Sequence, residues 1–85
     1  MRSGTMVVKF MNLDDQKFLA ALGERLRDAR TAAGLTQIQL AAKTGLHRTF
    51  IGSVERGERN VSILNLRLLA RRLRITMNTL VDGLS

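Results

Sequence analysis

Residues 34–57 read GLTQIQLAAKTGLHRTFIGSVERG, and two stretches with helical spacing meet there around a glycine. Thr36 followed by Gln39 fits the S/T-x-x-E/Q capping box, in which each side chain reaches the other's backbone N–H. Leu35 and Leu40 stand at the two positions of a hydrophobic staple around that box. The pattern predicts a helix over 36–44, a turn at Gly45 and a second helix over 47–55. Two such helices need a small residue where they approach, which Ala41 supplies. They also need a residue at ease with positive φ in the turn, which Gly45 supplies. Leu40, Leu46, Ile51 and Val54 would then seal the pair onto the rest of the chain.

Outward from this stretch the chain keeps the helical period. Proline is absent, strict apolar–polar alternation is absent, and apolar residues recur at spacings of three and four. In DQKFLAALGERLRDARTAAG (15–34), Phe18, Leu22, Leu26 and Ala29 line one face, and Gly34 sits where a helix C-terminus would be capped. Beyond the polar RGERN (56–60), Ser62 is an N-cap for a fourth helix carrying Ile63, Leu66, Leu69, Ala70 and Leu73. Thr76 can cap a short fifth helix with Leu80, Val81 and Leu84. Residues 1–15 show no clear periodicity and read as an N-terminal arm, expected to be poorly ordered. The expected fold is all-α: one five-helix domain over residues 16–85, with the helix-turn-helix motif at its centre.

Composition bounds the function. A chain of 85 residues makes one small domain. It contains no cysteine, which excludes disulfides and cysteine-ligated zinc and fits a reducing cytoplasm. No apolar run approaches the roughly 18 residues that a membrane span requires, and the first 15 residues do not resemble a signal peptide. Charge is the dominant feature: 14 Lys and Arg against 7 Asp and Glu give +7, and residues 59–81 contain no carboxylate. Such a balance favours a polyanionic partner, nucleic acid or an anionic membrane. The basic run NLRLLARRLR (65–74) is amphipathic, with Arg67, Arg71, Arg72 and Arg74 outward, but its apolar side is needed to complete so small a core. That argues against a membrane-surface helix and leaves a solvated face or one that meets an acidic partner. Catalysis is not expected. With one histidine and few acids, nothing offers a nucleophile–base pair or metal-ligand spacing, and no cofactor, metal or small-molecule ligand is implied.

On the helix over 47–55, Arg48, Thr49, Gly52 and Ser53 form a polar stripe opposite Ile51 and Val54. An ordinary solvated face can have that form. Here it lies near a helix N-terminus and carries an arginine, which can hydrogen-bond bidentately to guanine N7 and O6 in the major groove. Thr49 can touch a thymine methyl or a base edge, Ser53 has a shorter reach, and Gly52 would let the helix sit close. Gln37 opens the preceding helix, where free N–H groups and the positive end of the dipole favour an anion. Lys43, Arg56, Arg59 and Asn60 flank the second helix and could grip a phosphate backbone. The last helix carries more apolar surface than a domain of this size can bury, so Ile75, Met77, Leu80, Val81 and Leu84 suggest a dimer contact.

The run LTQIQLAAKTGLHRTFIGSVERGERNVS (35–62) resembles the helix-turn-helix of lambda-repressor-like (Xre-type) DNA-binding proteins. Within it, LHRTFIGSVERGERN (46–60) is most similar to the controller proteins of restriction–modification systems, and the likeness spans residues 17–84. The resemblance implies that Arg48, Thr49 and Ser53 read bases and that Gln37 binds phosphate. It also implies that Arg30 and Glu55 form a buried ion pair and that the C-terminal helices make a dimer. His47 departs from the common Ser, Thr or Asp cap; it could touch phosphate or face water. The implied function is a cytoplasmic transcription regulator that binds a pseudo-palindromic operator as a homodimer. Such a controller governs its own gene and an endonuclease gene, with RNA polymerase a further partner to consider. An antitoxin or a phage-type repressor would use the same motif, and the residues do not separate these readings.

Overall fold

Side-chain caps decide where each helix begins in the computed structural model, which describes residues 12–85. Five helices follow in order: α1 (Leu13–Ala32), α2 (Gln37–Thr44), α3 (Arg48–Glu55), α4 (Ile63–Arg72) and α5 (Met77–Val81). The described residues contain no strand. Thr36 and Gln39 close the capping box of α2 in both directions, at 3.1 and 2.9 Å. Ser62 caps α4 through the Asn65 N–H and Thr76 caps α5 through the Thr79 N–H. A Ser, Thr or Asn cap contributes about 1 kcal/mol to its helix.

The first helix starts earlier than its apolar spacing indicates. Asn12 accepts a hydrogen bond from the Asp15 N–H at 2.8 Å, and Asp14 and Asp15 lie in the first turn, where carboxylates suit the helix dipole. Residues 13–15, read from sequence as part of the arm, therefore belong to α1. The rest of the arm, residues 1–11, lies outside the described residues.

Each helix places one side chain at the centre of the core with no exposed surface: Leu26 from α1, Leu40 from α2, Ile51 from α3, Leu69 from α4 and Leu80 from α5. Full burial of such a residue is worth about 2 kcal/mol, so all five helices are tied to one another through this layer. Around it α1 packs on α3 and α5, α2 on α3 and α4, and α4 on α5. Arg25 secures the last helix from outside, donating to the carbonyls of Thr79 at 3.2 Å and Asp82 at 2.6 Å.

This packing corrects two sequence expectations, at Leu80 and at Ile63. Leu80 is not available for a dimer contact, because a helix as short as α5 is held by driving that leucine into the chain's own core. Ile75, Met77, Val81 and Leu84 are half-buried and pack against the core edge, leaving part of each outside. Ile63 does not join the core; as the first residue of α4 it lies short of the packed turns and is exposed, with Leu64 beside it. On α1 the buried stripe runs through Leu19, Leu22 and Leu26, and Phe18 and Ala29 flank it half-buried. Among the described residues no helix is long and apolar enough to cross a membrane.

Candidate nucleic-acid interface

The turn between α2 and α3 fixes the site. Gly45 ends α2 with φ of +78°, a conformation open to glycine without strain, and its N–H bonds to the Ala41 carbonyl at 2.8 Å. The chain then re-enters a helix at His47, whose Nδ1 accepts the Thr49 N–H at 3.1 Å. Helix α3 thus follows α2 after three intervening residues and packs on it, with Ile51 and Val54 buried.

Its far end is held from the inside. Glu55 has a side chain only 3% exposed and is paired with Arg30 of α1, whose Nε donates to Oε2 at 2.6 Å and Nη2 to Oε1 at 3.0 Å. The remaining guanidinium nitrogen, Nη1, donates to the Leu35 carbonyl at 2.7 Å, just before α2. Hydrogen bonding to Glu55 raises the Arg30 guanidinium above its ordinary range, against the opposing effect of burial. Gln37 of α2 completes the cluster through its side-chain amide, which donates to Glu55 Oε1 at 3.0 Å. One carboxylate thus ties three helices, and no buried side-chain polar atom among the described residues lacks a partner.

Two glycines bring the backbones together beside this cluster. A Cβ on Gly23 of α1 would overlap the Val54 carbonyl oxygen and lie 2.5 Å from that of Glu55. A Cβ on Gly57 would lie 2.7 Å from the Ala20 Cα, at a φ of +75°. Neither was singled out in the sequence. The signal for Gly23 was nonetheless present, since a glycine inside a helical pattern costs about 1 kcal/mol relative to Ala and implies a packing reason.

The outer face differs. Arg48 is exposed and makes no hydrogen bond or ion pair among the described residues, and Thr49 is exposed beside it. Ser53, one turn on, is half-buried, and its hydroxyl donates to the Phe50 carbonyl at 2.7 Å. Gly52, read from sequence as an open position, is buried. The Arg56 guanidinium and the Gln37 amide fold over it, 3.2 and 3.4 Å from where a Cβ would be.

The cations expected to flank α3 divide into two groups. Arg56 forms an exposed pair with Glu58 at 3.1 Å, and Arg59 lies over the Phe50 ring, 5.4 Å from its centroid. Arg56 stays at the C-terminal end of α3, and the Arg59 guanidinium reaches back over Phe50 in the first turn of that helix. Asn60 is exposed and borders a shallow hollow with Asp15, Phe18 and Leu19 of α1. Lys43 stands with a different set, sharing a polar hollow with Arg71, Arg72 and Arg74 of α4 and the turn after it. The face around α3 can present an arginine and a hydroxyl from a rigid helix, with further cations at its edge.

Comparison with known proteins agrees with this geometry. A helix-turn-helix family model matches residues 26–80. The chain is 48% identical over 60 residues to the control protein C.SmaI of Serratia marcescens, covering 71% of each protein. Among solved structures it is similar to the restriction–modification controller protein C.AhdI of Aeromonas hydrophila. That match has a TM-score of 0.71 and 50% identity over 73% of this chain and 94% of that one. It is also similar to the controller protein C.Esp1396I, solved as a tetramer in complex with its natural 35 base-pair operator. There the TM-score is 0.70 and the identity 31%, over 79% of this chain and 88% of that one.

Proposed function

The chain belongs to the helix-turn-helix family, among the controller proteins of restriction–modification systems, and on that premise we propose that it is a sequence-specific DNA-binding transcription regulator. In this reading α3 enters the major groove, Arg48 pairs with a guanine edge, and Thr49 and Ser53 contact neighbouring bases. Gln37, His47, Arg56, Arg59, Asn60 and Lys43 serve the phosphate backbone, which fixes register without reading sequence. Two copies bind a pseudo-palindromic operator with their recognition helices about 34 Å apart. The exposed parts of Ile75, Met77, Val81 and Leu84 form their contact. The genes controlled are its own and that of an endonuclease, in the cytoplasm, by repression or by engagement of RNA polymerase according to operator position.

The observation that carries this reading is the contrast around Arg48. A guanidinium without a partner among the described residues stands on the first turn of a helix whose other end is fixed by a buried carboxylate. Rigid placement of an arginine that no other described residue pairs with suits recognition of an external planar acceptor pair.

Footprinting on the DNA upstream of the protein's own gene, across a salt series and beside Arg48→Ala, tests it. The expected result is a compact symmetric footprint that the variant loses while salt-sensitive non-specific binding survives. No discrete footprint, with both proteins equally sensitive to salt, would overturn the reading.

A further inference from the structure

The hydroxyl of Thr49 lies 2.6 Å from His47 Nδ1, the same atom that accepts the Thr49 backbone N–H at 3.1 Å. A backbone N–H can only donate, so Nδ1 carries its lone pair and the ring hydrogen sits on Nε2. With Nδ1 an acceptor, the hydroxyl must be the donor in the shorter contact. Its single hydrogen is consumed there. A free threonine hydroxyl can donate or accept and so tolerates any base edge; this one has only lone pairs left to offer. Both residues are exposed on either side of Arg48, His47 as the N-cap of α3 and Thr49 in its first turn.

Resting on the DNA-reading role assigned above, we propose that His47 is a positioning residue that makes Thr49 an obligate acceptor toward DNA. In the major groove the donors are the exocyclic amines, N6 of adenine and N4 of cytosine; guanine and thymine present acceptors at the corresponding edge. Thr49 therefore selects an amino base, adenine or cytosine, over a keto base on the strand it contacts. The N-cap and the specificity of the helix are one interaction, because the same lone pair starts the helix and holds the hydroxyl.

Selection of binding sites from a random duplex library measures this directly, with four proteins run in parallel: the unaltered chain, Thr49→Val, His47→Gly and His47→Asn. Glycine is accepted at an N-cap at a cost of only a few tenths of a kcal/mol, so the His47→Gly variant folds while losing the acceptor. Asparagine restores a cap oxygen that can take both hydrogens. Thermal melts accompany each selection. The Thr49→Val variant identifies the operator position that depends on the hydroxyl. At that position the unaltered chain should enrich adenine and cytosine about fivefold over guanine and thymine, the scale of one net hydrogen bond. The preference should be lost in the His47→Gly variant and return in the His47→Asn variant.

A keto base at that position, an unchanged profile in the His47→Gly variant, or no position dependent on Thr49 would each overturn the proposal and leave DNA recognition standing. Failure of the unaltered chain to enrich any sequence would instead remove the DNA-reading role on which the proposal rests.

Discussion

On the inner side of α3, Glu55 accepts three hydrogen bonds from two other helices, and the backbone of α1 approaches until only glycine fits. On the outer side of the same eight residues, Arg48 makes no hydrogen bond or ion pair among the described residues, and the Thr49 hydroxyl meets its own cap, His47. The difference separates two tasks within one short helix. Glu55 and Arg30, which fix the helix, are engaged with groups of the chain itself and so are closed to a ligand. Arg48, which can address a ligand, has its donors open among the described residues. A helix of two turns is marginal by itself, and its outer face has a defined position only because the opposite face is over-determined.

If that division holds, the largest effect comes from the inner side. Arg30→Ala or Glu55→Ala leaves a buried charge without its partner and should cost about 3–5 kcal/mol, measured by urea unfolding. A domain of this size has only about 5–15 kcal/mol in total, so either variant stands near global unfolding. A loss below about 1 kcal/mol would mean the pair is solvated and the inner face is not a lock. Gly23→Ala comes next. Its Cβ meets carbonyl oxygens of α3 rather than a movable side chain, and separating the two helices should cost about 1–3 kcal/mol.

The sequence made one part of this contrast readable and hid another. Helices α2 and α3 were legible to within a residue because their signals are local: a capping box, a staple and a glycine in the turn. The start of α1 was not, since Asn12 caps it without an apolar stripe and Leu13 is exposed. Arg30 and Glu55 lie 25 positions apart, and no periodicity links them; only the family resemblance paired them. Leu80 was misassigned for a related reason. An apolar residue on a short terminal helix looks the same whether it faces its own core or a second copy, and only the packing of α5 on α1 and α4 decides. The contact between His47 and Thr49 has no sequence signature, because histidine is an uncommon cap and residues two apart on a regular helix do not face each other.

The outer face is broken by a different measurement. Arg48→Ala should leave stability within about 0.5 kcal/mol and lower affinity for the selected operator about tenfold to a hundredfold, with non-specific duplex binding little changed. Competition binding at fixed salt checks it. A variant that melts early would place Arg48 on the structural side of the helix after all.

The smallest effect sharpens the comparison most, because it sets one glycine against another. Gly52 and Gly23 are both buried, yet what surrounds them differs in kind. A Cβ on Gly52 would lie 3.2 Å from the Arg56 guanidinium, the far end of an exposed and flexible side chain, and at ordinary contact distance from the Gln37 amide. Arg56 can move aside without disturbing any backbone, whereas the carbonyls facing Gly23 cannot. Alanine is favoured over glycine inside a helix by about 1 kcal/mol. Gly52→Ala should therefore be neutral to stabilising, by up to about 0.5 kcal/mol after Arg56 gives way, and raise the melting temperature by a few degrees. The opposite sign would show that Gln37 cannot yield without releasing Glu55. Gly52 would then belong to the locked face, and the boundary between the two tasks would fall between Thr49 and Gly52.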